Sequence, residues 1–100
     1  RDLVALPERW RSEVRPRKGS VVDLVLSTLV ERPVVGVDDV REIGDSTARG
    51  AYDAIAKLEE HGVLREITRR KRDRLWSAPD VFDVVDALER RIGRRQRRRR

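Results

Sequence analysis

The sequence predicts a mainly α-helical domain with one small β-hairpin: a winged helix-turn-helix with added helices at its N- and C-terminal ends. Three observations lead there. Residues 20–31 and 47–61 repeat apolar side chains at helical spacing. The second of these segments stops at His61-Gly62, where glycine supplies a left-handed end. Beyond it, Val63-Leu64-Arg65-Glu66-Ile67-Thr68 has a strand pattern, Arg69-Arg70-Lys71-Arg72-Asp73 is a turn made almost wholly of positive charge, and Arg74-Leu75-Trp76-Ser77 returns as a second strand. Helix, glycine, strand, basic turn, strand is the sequence form of that fold.

The elements follow in order. Residues 1–19 read as a connector with a short helix over residues 7–14, opened by Pro7, which suits a first helical turn. Leu6, Trp10 and Val14 fall four apart on one face of it. Pro16 and Gly19 end the segment. The main domain spans residues 20–78. Ser20-Val21-Val22-Asp23 resembles a capping box with Asp in place of Glu. Val21, Leu24, Val25, Thr28 and Leu29 then give the apolar face of a helix over 20–31, and Pro33 ends it. Val34-Val35 is a short strand. A helix over 37–43 opens with Asp38-Asp39, which suit the positive end of a helix dipole. Gly44-Asp45-Ser46 is the turn between two helices, and Ser46 or Thr47 caps the next. Ala48, Ala51, Tyr52, Ile55 and Leu58 are its expected buried stripe. A last helix covers 79–92, with Val81, Phe82, Val84, Val85, Leu88 and Ile92 spaced by threes and fours. Residues 93–100 form an Arg-rich tail with no core-forming residue, expected to be disordered.

Composition narrows the function classes. Hydrophobic residues are 38% and charged residues 42% of the chain, so helical faces must carry a small core. The absence of Cys excludes disulfides, thiolate zinc sites and thiol nucleophiles. With no Met and Arg at position 1, the sequence is expected to be a fragment or a processed piece. No apolar run approaches the ~20 residues of a membrane span, and no secretory signal is visible. No membrane contact and a cytoplasmic location are expected. The net charge of +6 is unevenly placed: residues 90–100 hold eight arginines and no acid, so residues 1–89 sum to −2. The tail is either a solvated extension or a nonspecific polyanion binder.

Trp10-Arg11, Arg15-Pro16-Arg17-Lys18-Gly19-Ser20, Glu31-Arg32-Pro33-Val34-Val35 and the run from Gly62 through Arg69-Arg70-Lys71-Arg72-Asp73 to Trp76 carry a resemblance. Over roughly residues 8–86 the chain resembles the C-terminal winged-helix portion of bacterial Fic-family proteins, and residues 62–76 are its most specific part. In that family a helical catalytic domain precedes the winged helix and transfers AMP from ATP to a protein hydroxyl. Its motif, H-P-F-x-x-G-N-G-R, has no counterpart here, because the sole His61 is followed by Gly62-Val63. The resemblance implies that catalysis lies outside these residues.

The residues themselves point away from an enzyme. His61 at a helix C-terminus is better placed as a dipole partner than as a base. The carboxylates are scattered, no metal-ligand set is spaced for binding, and no Gly-rich phosphate loop is present. No catalytic residue, metal or cofactor is expected. The leading function is a DNA-binding or regulatory module. Arg69, Arg70, Lys71, Arg72 and Arg74 are the candidate phosphate contacts of the wing. Ser46, Thr47, Arg49 and Lys57 are the candidates on the helix that would enter the major groove. Charge is split between these parts: residues 37–62 hold three basic and seven acidic residues, whereas residues 65–74 hold six basic and two acidic. The alternative is a protein-interaction or dimerisation domain with no physiological DNA binding. For it, Val81, Val84, Val85, Leu88 and Ile92 are the expected homodimer contact, because two-fold contacts are the commonest oligomer form.

Overall fold

The computed structural model describes the backbone of residues 2–98 and the side chains of residues 3–93. Five helices and a three-stranded antiparallel sheet occur in the order α1 (Asp2–Val14), α2 (Val21–Thr28), β1 (Val34–Gly36), α3 (Val37–Gly44), α4 (Ala48–Glu60), β2 (Arg65–Glu66), β3 (Leu75–Ser77) and α5 (Pro79–Arg98).

α1 begins five residues before the expected start and holds Pro7 in its interior. Proline there removes the bond to the Leu3 carbonyl. Burial outweighs that loss: Leu6, Trp10 and Val14 are buried and Leu3 packs against them, so the stripe extends a turn further than Pro7 suggested. Arg15 takes a left-handed φ of 53° to leave the helix, and Gly19, at φ 79°, turns the chain into α2. Ser20 caps α2 by accepting the Asp23 amide at 3.3 Å. The Asp23 carboxylate reaches one residue further back than a capping box requires, accepting the Gly19 amide at 2.9 Å. It also accepts Arg11 Nε at 2.9 Å, which ties α1 to α2. The buried face of α2 is Val22, Val25 and Leu26, continued by Leu29. Leu24, expected inside, is exposed.

α2, α3 and α4 pack against one another. Gly44 closes α3 against α2: a Cβ there would lie 2.7 Å from Val21 Cγ1. Asp45 then adopts a left-handed φ of 47°. Thr47 caps α4, its hydroxyl accepting the Gly50 amide at 3.1 Å. Gly62, at φ 75°, ends α4: its amide meets the Glu59 carbonyl at 3.0 Å and that of Val63 meets Leu58 at 2.9 Å. Both bonds belong to a Schellman end, and buried Leu58 and Val63 supply its apolar contact.

β3 is the central strand, in the order β1-β3-β2. Val35 pairs with Trp76 on one side and Glu66 pairs with Trp76 on the other. The expected first strand over 63–68 is shorter, because Val63 and Leu64 turn into the core before pairing begins. One apolar cluster unites all these parts, with Trp10 and Trp76 among its largest members. Among the described residues no polar or charged side chain is buried.

α5 starts at Pro79 and docks on α1. Trp10 Nε1 donates to Asp80 Oδ2 at 2.9 Å, and Arg9 meets the same carboxylate at 3.0 Å. The helix runs on through Gly93 to Arg98, past the expected end at Ile92. Of the tail expected over 93–100, the side chains beyond Gly93 and all of Arg99 and Arg100 lie outside the described residues. The radius of gyration, 15.4 Å, exceeds the ~13 Å of a compact chain of this length, as befits a helix that outruns the core. No helix among the described residues is long and apolar enough to cross a membrane.

Candidate nucleic-acid interface

The site is built on the hairpin between β2 and β3. At its base, Arg74 grips Glu66 with two bonds, Nε to Oε2 at 2.9 Å and Nη2 to Oε1 at 2.8 Å. The Thr68 hydroxyl donates to the same carboxylate at 3.1 Å and accepts the Leu75 amide at 3.1 Å. The guanidinium of Arg74 also lies over the Trp76 ring, 4.8 Å from its centroid. The hydrogen bonds from Arg74 hold the Glu66 carboxyl below its usual range, and Glu66 in turn raises Arg74. This clasp fixes where the loop begins and ends. Asp73 closes it with a left-handed φ of 54°, and Arg70 donates to the Asp73 carbonyl at 3.2 Å.

Arg69, Arg70, Lys71 and Arg72 are exposed on the loop so held, and among the described ion pairs none of the four meets a carboxylate. The fifth expected loop contact, Arg74, is differently placed. Its donors face Glu66 and its plane faces Trp76, so it shapes the loop from below.

On α4, Arg49, Asp53, Ala56 and Lys57 are exposed, and Ser46, in the turn before the helix, is half-buried. Thr47 is exposed, but its hydroxyl oxygen already serves the helix cap. The buried stripe is Ala51, Ala54, Ile55 and Leu58. Ala48 and Tyr52, both expected in that stripe, are exposed, Tyr52 by 45%. Counting Ala54 into the helical period would have turned the face and left Tyr52 at its edge. Tyr52 was expected in the core and so was not among the candidate site residues. It lies between α4 and the loop, in an open cleft of about 650 Å³ whose walls include Val37, Arg41, Ala48, Lys71 and Arg74. Its acidic wall is partly neutralised. Asp39 accepts the Gly36 amide at 2.7 Å and Arg32 at 2.6 Å, and Arg41 approaches Asp38 at 3.9 Å.

The five residues of the expected dimer stripe separate. Val81 is buried in the chain's own core, and Val84 and Val85 are half-buried. Leu88 and Ile92 are exposed by 41% and 55%. Among the described residues no group of three or more His, Cys, Asp or Glu stands together as metal ligands.

Compared with known protein families, the sequence matches no family model, and a comparison with curated proteins finds no match.

Proposed function

We propose that residues 20–78 are a winged helix-turn-helix module that holds duplex DNA by its phosphate backbone. The loop over residues 67–74 acts as the wing, and α4 faces the major groove. One observation carries this reading: four consecutive exposed cations stand on a clasped loop beside the exposed Tyr52 side of α4. Phosphate contacts position a protein without reading sequence, so affinity comes from Arg69, Arg70, Lys71 and Arg72. Specificity is modest and falls to Arg49. The resemblance of residues 62–76 to Fic-family winged helices supports the same reading. On that resemblance the module would be a regulatory region of a protein whose AMP transfer is carried out elsewhere, and the expected location is cytoplasmic.

A second reading, protein interaction without DNA, is favoured by the charge of residues 37–62, three basic against seven acidic. Titration of random duplex DNA with the chain across a salt series separates the two. Changing Arg69, Arg70, Lys71 and Arg72 to Ala is expected to flatten the salt slope by about 3–4, at roughly 0.9 per phosphate. The same titration after deletion of residues 93–100 removes the tail's own attraction. Salt-dependent binding that vanishes with the tail would refute the DNA reading and leave protein interaction.

A further inference from the structure

We propose that a second copy of this chain covers the exposed apolar face of α5, with the two α5 helices antiparallel. The proposal is independent of DNA binding. Val81, Val85, Leu88 and Ile92 are spaced four, three, four, the interval of a heptad seam. The seam starts inside the molecule and leaves it: Val81 is buried against the core, Val85 is half-buried, and Leu88 and Ile92 are exposed by 41% and 55%. Phe82, 44% exposed, stands beside it.

Charge selects the occupant and its direction. The first half of α5 carries Asp80, Asp83, Asp86 and Glu89 and no base. The second carries Arg90, Arg91, Arg94, Arg95, Arg97 and Arg98 and no acid. This order also suits the helix's own dipole, but that effect fades within the first and last turns. Asp86, Glu89, Arg90 and Arg91 lie in the middle, beyond its reach. Among the described ion pairs only Asp80 of these residues is engaged, by Arg9. A parallel pair would set arginine against arginine. An antiparallel pair sets each acidic half along the other's basic half. Centred near Ala87, it brings Ile92 opposite the second copy's Phe82 and Leu88 beside its Val85.

Sedimentation of the whole chain over a range of concentrations tests the contact. A reversible dimer is expected, and a monomer throughout would overturn the proposal. Leu88→Asp and Ile92→Asp change side chains already exposed in the single chain, so circular dichroism should show the fold intact. Each should weaken the dimer by roughly a hundredfold by burying a charge. Ile92→Asp lies beyond the core contacts and serves if Leu88→Asp does not fold. Dimers of unchanged strength would overturn the assignment. Direction is read with spin labels, since the chain has no other Cys. Asp83→Cys should give a longer label separation than Ala87→Cys, because the two 83 positions are offset along the axis by about 12 Å at 1.5 Å per residue. Equal separations would show a parallel pair and overturn the antiparallel arrangement.

Discussion

Replacing Gly44 by alanine measures how closely α2 and α3 approach. At a helical site Gly→Ala ordinarily stabilises by up to about 1 kcal/mol, through backbone entropy. Here the new Cβ would sit 2.7 Å from Val21 Cγ1, 2.9 Å from Cγ2 and 3.1 Å from Cβ. Val21 is β-branched and lies at the start of α2, so its χ1 has one preferred well and the methyls do not swing aside cheaply. Overpacking of this kind costs about 1–3 kcal/mol. The two effects oppose, and a net loss of about 1–2 kcal/mol is expected. Urea unfolding followed by circular dichroism would show it as a lower midpoint at unchanged slope. The double variant with Val21→Ala removes both clashing methyls, so the cycle should show a favourable coupling above about 0.5 kcal/mol. A stabilised Gly44→Ala, or additive single effects, would refute the argument from contact.

Three further outcomes are expected. If the Tyr52 hydroxyl bonds a phosphate of bound DNA, Tyr52→Phe should leave stability unchanged, because the ring is half-exposed, yet weaken DNA binding by about 1 kcal/mol; equal titration curves would remove Tyr52 from the proposed interface. Asp80→Ala should destabilise by about 1–3 kcal/mol, because it orphans the buried Trp10 Nε1, whereas Asp80→Asn keeps an acceptor and should cost less; equal losses in thermal melts would count against the latch. The Gly19 amide and then Arg11 lower the Asp23 pKa from its ordinary 3.8. A lowered carboxyl pKa gives stability that is present above 3.8 and lost as pH falls through the folded value. Asp23→Asn should therefore flatten the acid end of a stability-against-pH curve, and an unchanged acid limb would contradict the assignment.

Local chemistry was enough to place some of the ends of the elements. Ser20 and Thr47 cap helices with their own hydroxyls, and Gly62 ends α4 with a positive φ, because each satisfies backbone groups within a few residues. The basic loop between two strand patterns was equally legible, since charge and turn residues act where they stand in the chain. Tertiary packing decided the rest. α1 runs through Pro7 because Leu3 and Leu6 find a core to cover, a reward that no local rule contains. Val63 and Leu64 leave the strand for that same core. β1 joins the hairpin only because the path from α2 brings Val35 beside Trp76. For the proposed interface, sequence supplied the four loop cations. It did not show that Arg74 would bind Glu66 eight residues away, or that Tyr52 would face the cleft. A side chain's type follows from the sequence, but its partners depend on which surfaces the fold brings together.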